Sequence, residues 1–294
     1  MEGCLLVWQL IVSGLIFGCI YGLAALGLVL IYRTTDVVNF AQGEMAMVTT
    51  FVAYVFLEKQ GFSYGVSFLL ALLFAAVFGM VVQFLFMRPV QQAPVLNQIV
   101  LTLGLYMVFH GLAGIIWGYT PTSFPEAVPG SPYQLAGIYV TPNELFVVAV
   151  TLALMLLFFA VFRYTKIGLA MRATSQDTMT SELMGIQVSS VFTWTWVVGT
   201  VLGGVAGMLT APTTMLDPNF MADVLIMAFA AAVLGGFISL PGAILGGLII
   251  GVVGNLITFY VSAELKTAFI FLLIILILYV RPTGLFGARV INKV

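Results

Sequence analysis

The sequence predicts an all-α fold, a polytopic transmembrane helical bundle of about nine spans (eight to ten). Three observations lead there. Of the 294 residues, 62% are hydrophobic and only 7% are charged, whereas a soluble domain carries about 25% charged residues; the mean hydropathy is +1.16. The apolar residues stand in continuous runs suited to roughly 30 Å of hydrocarbon, not in the alternating segments of about ten residues that mark a membrane barrel. The basic residues, finally, gather on one side of those runs.

In chain order the runs place spans at about 9–32, 45–57, 62–86, 98–118, 145–162, 191–211, 224–238, 243–260 and 267–280. The second, seventh and ninth are shorter than the roughly 17–25 residues of a full crossing. They read as broken helices, half-helices or tilted cores extended by polar turns. The first run lacks a basic leader and is too long for a signal core, so it reads as an uncleaved span. With nine crossings and the N-terminus outside, Arg33, Arg88, Arg163, Lys166, Arg172, Arg281, Arg289 and Lys293 fall inside. Only Lys59 and Lys266 remain outside, and this excess of inner Lys and Arg sets the orientation, with a cytoplasmic C-terminus. Removing a pair of spans preserves the bias, so seven crossings or a re-entrant pair also fit. Two loops are long. Residues 119–144 face outside and carry Pro121, Pro125, Pro129, Pro132 and Pro142; residues 163–190 face inside.

Composition also excludes chemistry. A net charge of −1 without a basic arm gives nucleic acid nothing to bind. Cys4 and Cys19, 15 residues apart, suggest neither a disulfide framework nor a metal site. His110 is the single histidine and sits within a span, so a paired-histidine zinc motif is impossible. It reads as a hydrogen-bonded bundle residue in preference to a proton relay. No phosphate-binding G-x-x-x-x-G-K-[ST] loop occurs, so ATP-driven work would require another chain to hydrolyse the nucleotide. No catalytic constellation is visible, and the chain reads as a non-enzyme without a bound metal or cofactor.

Two packing signals stand out. Gly14, Gly18 and Gly22 lie four apart on one face of the first helix, and Gly199, Gly203 and Gly207 do so in the sixth. Small residues at that spacing let backbones approach closely in lipid. A short polar break and an abbreviated span follow each. Both breaks contain Asp, then Asn-Phe, then an acid: Asp36, Asn39-Phe40 and Glu44 in one, Asp217, Asn219-Phe220 and Asp223 in the other. Five spans separate them, an odd number, so the units would run in opposite senses as an inverted repeat. That divides a single transmembrane domain, 1–294, into a first repeat of about 1–162, a loop of 163–190 and a second repeat of about 191–294.

The candidate functional residues follow from these features. Asn39, Gln42 and Glu44 are polar groups wedged between apolar runs, with Asn219 at the second break. They read either as caps at helix starts or as the lining of a path with backbone donors exposed. In the inner loop, Lys166, Gly168, Arg172, Ala173, Asp177, Leu183, Gly185 and Ile186 fall in two short amphipathic helices, with Gly185 at the turn. Such helices at a membrane surface offer a soluble partner a grip, unless they are only a solvated loop.

These residues carry a resemblance that covers nearly the whole chain. Gly22-Leu23-Ala24-Ala25-Leu26-Gly27-Leu28, Val38-Asn39-Phe40-Ala41-Gln42-Gly43-Glu44-Met45, Lys166-Ile167-Gly168, Leu183-Met184-Gly185-Ile186 and Val233-Leu234-Gly235-Gly236 resemble branched-chain amino acid ABC-transporter permeases of the LivH type. The sequence departs from that pattern at Gln42, where the family usually has His, and at Thr180-Ser181, where a small pair is usual. The resemblance implies an importer in a prokaryotic inner membrane, with a second permease subunit, a different chain, completing the pathway. Two ATP-binding cassette ATPases would hydrolyse ATP, and an extracytoplasmic substrate-binding protein would deliver the solute. Residues 166–186 would then dock into an ATPase, and Asn39, Gln42, Glu44 and Asn219 become pathway candidates. A permease for urea or short amides, and a secondary transporter or channel for a small neutral solute, remain as alternatives.

Overall fold

The computed structural model describes residues 2–135 and 137–287. Arg289 and Lys293 of the predicted inner tail lie outside the described residues.

The chain forms α1 (Glu2–Thr35), then α2 (Gln42–Tyr54), which continues through a π-helical turn over Val55–Lys59. Next come α3 (Tyr64–Val82), prolonged by a π-helical turn over Gln83–Met87 and a 3-10 turn over Arg88–Val90, and α4 (Val95–Trp117). A hairpin of β1 (Tyr133–Leu135) and β2 (Ile138–Val140) precedes α5 (Pro142–Tyr164). The short helices α6 (Lys166–Thr174) and α7 (Thr178–Leu183) lead to α8 (Val188–Thr214), α9 (Met221–Gly235), α10 (Leu240–Tyr260) and α11 (Lys266–Val280).

Each apolar run read from the sequence is helical. Among the described residues, six helical stretches are long and apolar enough to cross a membrane: Leu5–Thr35, Tyr64–Val90, Val95–Trp117, Pro142–Tyr164, Val188–Thr214 and Leu240–Tyr260. The runs expected to be short are short, with 13 residues in α2 and 15 each in α9 and α11. The helical membrane class stands, with one addition that an all-α reading omitted. In the proline-rich loop, Tyr133 pairs with Val140 and Leu135 with Ile138 in antiparallel register, turning at Gly137, whose φ is +87°. The Gln9 amide completes this edge, donating to the Tyr139 carbonyl at 2.9 Å and accepting from its N–H at 2.8 Å. The prolines lie outside both strands, so composition concealed the pairing.

The chain divides into two compact units. One comprises Met1–Val29, Glu126–Leu152 and Ile226–Val294, and the other Leu30–Pro125 and Ala153–Leu225.

Within the first unit α10 is organised by glycine. A methyl group at Gly14 of α1 would sit 2.7 Å from Val252 Cα, and one at Gly18 would sit 2.8 Å from Leu248 Cα. Reciprocally, Gly247 and Gly251 of α10 lie against the backbone of Gly14, Gly18 and Gly22. A neighbouring stripe, Gly242 and Gly246, lies against the backbone of Ala231 and Gly235 in α9. Lipid tails are as apolar as leucine, so helix association here rests on close van der Waals contact. The bond from the Asn255 amide to the Leu10 carbonyl at 2.7 Å adds a polar tie to the same seam.

The second unit is built on α2, α3, α4 and α8. Its core joins Ile31, Val37, Met45, Val82, Phe109 and Trp196. Gly79 of α3 fits against α8, where a methyl would fall 2.8 Å from the Trp196 carbonyl oxygen. Buried threonine hydroxyls turn back on their own helices: Thr49 donates to the Met45 carbonyl and Thr200 to that of Trp196, both at 2.8 Å. That satisfies hydroxyl groups where no water is available.

Candidate functional site

The break after α1 begins with a conformational stop. Asp36 adopts φ +56°, the left-handed region that an Asp tolerates better than most side chains, and its N–H donates to the Tyr32 carbonyl at 2.7 Å. From there the chain turns on Asn39, which is fully buried. Its Oδ1 accepts from the Ala41 N–H at 3.1 Å, and its Nδ2 donates to Gln42 Oε1 at 3.0 Å. Gln42 passes the tie on, donating from Nε2 to the Gly199 carbonyl of α8 at 2.7 Å. Thr102 of α4 braces the other side, its hydroxyl accepting from the Phe40 N–H at 3.4 Å.

The cap reading of Asn39 and Gln42 is therefore replaced. Ala41 stands at the start of α2, with no side-chain cap, and the two amides form a brace instead. The glycine stripe of α8 makes room for it: a methyl at Gly203 would meet Gln42 Nε2 at 2.8 Å, and one at Gly204 would meet Thr49 Cγ2 at 2.7 Å. Gln42→Met is expected to leave Asn39 Nδ2 with only the weak acceptor Met45 Sδ at 3.8 Å and to free the Gly199 carbonyl. The loss is about 1–3 kcal/mol, measurable as a lowered midpoint in thermal unfolding of the detergent-solubilised protein.

Glu44 lies on the first turn of α2 and faces α4. Its Oε2 is 3.3 Å from His110 Nδ1, with side chains 6% and 24% exposed. Neither atom makes a hydrogen bond among the described residues, so the contact is one of charge whenever His110 is protonated, not the hydrogen bond expected of a bundle histidine. His110 is also flanked by Tyr106 and Tyr119, with ring centroids 6.0 and 6.1 Å away. An ionisable pair in a charge-poor bundle marks a functional place by default. The sequence offered both residues but no sign that they meet.

The second break starts with the same device, Met215 at φ +63°. Leu216 then exchanges backbone hydrogen bonds with Thr122 at 2.8 and 3.0 Å. Asn219 is exposed, and its N–H donates to Asp217 Oδ1 at 2.6 Å in a local turn. It shares no hydrogen bond with the 39–44 brace among the described residues.

The 166–186 segment forms the two short helices predicted for it. Thr165 caps α6, accepting from the Gly168 N–H at 3.1 Å. Gly168 is buried against the Phe162 carbonyl at the end of α5. Arg172 donates from Nη2 to the Arg163 carbonyl at 3.2 Å, leaving Ala173 beside it half-buried. Asp177 caps α7, accepting from the Thr180 N–H at 3.0 Å and its hydroxyl at 2.7 Å. The N–H bonds hold its carboxyl below the usual range, so the capping contribution is complete near neutral pH and fades as acid protonates the group. Gly185, with φ +86°, closes α7, and the Ile186 N–H reaches back to the Ser181 carbonyl at 3.0 Å. This six-residue closure is a Schellman motif, which needs a left-handed residue at that point. Two large apolar side chains stand outward at the end of α7, Leu183 80% and Met184 78% exposed, and Lys166 at the start of α6 is exposed as well. Buried Met171, Thr174 and Ser181 anchor the inward face.

Comparison with known proteins gives the chain a family. Residues 10–278 match the family described as branched-chain amino acid transport system, permease component. The chain is 30% identical over 302 residues to the high-affinity branched-chain amino acid transport system permease protein LivH of Salmonella typhimurium, covering 97% of each chain. It is 27% identical over 301 residues to the corresponding permease protein BraD of Pseudomonas aeruginosa, again covering 97% of each. No solved structure matches. A polytopic helical chain with an internally braced break and an exposed amphipathic helix pair, matched along nearly its full length, belongs to the family of branched-chain amino acid transport system permease components.

Proposed function

We propose that this chain is the transmembrane subunit of an ATP-driven, binding-protein-dependent importer of branched-chain amino acids, with the amphipathic pair α6–α7 as its docking point for an ATPase. The observation that carries the docking role is the exposed apolar face of Leu183 and Met184 on helices fixed by the Thr165 and Asp177 caps and the Gly185 closure. A segment rigid within itself transmits a push, whereas a solvated loop absorbs it. The full-length match to permeases named for branched-chain amino acid transport supports the solute class.

In this reading a second permease of different sequence, two ATP-binding cassette ATPases and an extracytoplasmic binding protein complete the assembly, and no cofactor is held by this chain. The N-terminus lies outside and the C-terminus in the cytoplasm of a prokaryotic inner membrane. Closure of the ATPases on ATP moves α6–α7 and switches access from one side to the other. The matching left-handed residues Asp36 and Met215, each followed six residues later by a short helix, support an inverted repeat within a nine-span topology. Asn39 and Gln42 hold the first break in shape, Glu44 meets His110 beside it, and Asn219 marks its counterpart in the second break.

The test is uptake by proteoliposomes holding the full complex. Leucine should accumulate only with ATP and the binding protein present. Accumulation driven by an ion gradient without ATP overturns the proposal, and transport of urea or short amides in place of leucine overturns the solute class.

A further inference from the structure

A cavity of about 160 Å³ lies within the second unit, where the end of α1, the turns after α3 and the start of α4 meet α7 and α8. Its walls are of two kinds. Gln83, Gln91, Gln98, Thr35 and Thr178 are polar, and Val37, Met87, Phe192 and Trp196 are apolar. Among the described residues no charged side chain lines it. Glutamine is unusual here: Gln83 is 2% and Gln98 8% exposed. Gln98 is anchored, donating to the Ala93 carbonyl at 3.0 Å. The other two are not. The Gln83 amide oxygen and the Gln91 amide nitrogen are buried without hydrogen-bond partners among the described residues.

An unsatisfied buried amide atom costs about 1–3 kcal/mol, so both side chains gain by turning toward an occupant that offers a donor to one and an acceptor to the other. The cavity is several times the roughly 30 Å³ share of one water and below the roughly 300–1,000 Å³ of drug-sized sites. Its uncharged lining offers no counter-charge, so a solute with net charge loses hydration without compensation, whereas one whose opposite charges sit side by side on a single carbon brings its own partial compensation. Its apolar wall, led by Trp196, favours an aliphatic body. Thr178 lies in the first turn of α7, and Thr35 and Val37 belong to the end of α1 and the break. An occupant would therefore touch the break and the docking helix together.

We propose that this cavity is a binding site for a small net-neutral solute with an apolar body and a donor–acceptor head, an aliphatic α-amino acid, reached from the side of α6–α7. The site rests on the transport reading above for its solute class. It is a place where solute already delivered acts back on α7, and such coupling is reciprocal: whatever moves α7 alters the affinity of the cavity.

The experiment uses the assembled complex in nanodiscs with a Thr178→Cys substitution, modified by a membrane-impermeant maleimide. Leucine at millimolar concentration should slow modification at least fivefold, while lysine and glutamate leave the rate unchanged. Gln83→Leu and, separately, Gln91→Met in that background should remove the protection, with assembly checked by gel filtration. Unchanged modification under leucine, in a complex that takes up leucine in proteoliposomes, overturns the cavity site and leaves the transport reading standing. Full protection retained in both glutamine variants, or equal protection by lysine, overturns it as well. Failure of ATP-dependent leucine uptake itself counts against the transport reading instead.

Discussion

Gly251→Leu is expected to leave almost no folded protein in the membrane. The position a side chain would take at Gly251 is already occupied by the backbone of Gly14 and Gly18. A flexible side chain in that place would move aside, but helix backbone cannot without parting α1 from α10. Overpacking a well-filled interior costs typically 1–3 kcal/mol when side chains can adjust, and here they cannot. Each 1.4 kcal/mol is a factor of ten in the folded ratio, so even Gly251→Ala should lower folded yield several-fold despite the better helix propensity of alanine. Gly104→Leu provides the contrast, because nothing stands within 4 Å of a side chain placed there. Monodisperse yield after detergent extraction measures both. Equal yields for Gly251→Leu and Gly104→Leu would refute the glycine seam.

Gly185→Val should leave insertion intact while cutting transport-coupled ATP hydrolysis more than about fivefold, since 1–2 kcal/mol corresponds to a factor of 5–30. The cause is backbone conformation alone. A side chain at Gly185 meets nothing within 4 Å, but φ is +86°, where a β-branched residue is a genuine outlier. Valine would unwind the closure of α7 and release Leu183 and Met184 from their fixed outward presentation. Asparagine enters the left-handed region more readily, so Gly185→Asn should recover most of the activity. ATPase stimulation unchanged in the valine variant would remove the docking role from this segment.

The contrast between these two glycines also shows what was legible in the sequence. Gly185 interrupts two short amphipathic stretches, a local pattern, and its turn was readable from neighbours alone. The stripe Gly14, Gly18, Gly22 was equally readable, but its partner was not, because spacing reveals a face and not what covers it. Gly247 and Gly251 repeat the same spacing in α10 and complete the seam; the signal was present and lacked only a reason to be paired. The polar residues at the first break stand out in the sequence, yet their roles depend on groups far along the chain. Glu44 finds His110 66 residues later, and no periodicity joins them. The hairpin at 133–140 escaped because prolines around it outweighed two strands of three residues.

The brace at the first break can be completed only late in the making of the chain. Gln42 and the carbonyl it binds are separated by 157 residues, and chains emerge from the ribosome at about 5–20 residues per second. For many seconds after α1 and α2 enter the membrane, the amides of Asn39 and Gln42 have each other but not α8. The break is provisional through that interval, held by Thr102 once α4 arrives and fixed only when Gly199 does. Biogenesis of the first half thus waits on the second, and substitutions at Gly199 or Gly203 should appear first as degradation of newly made chains.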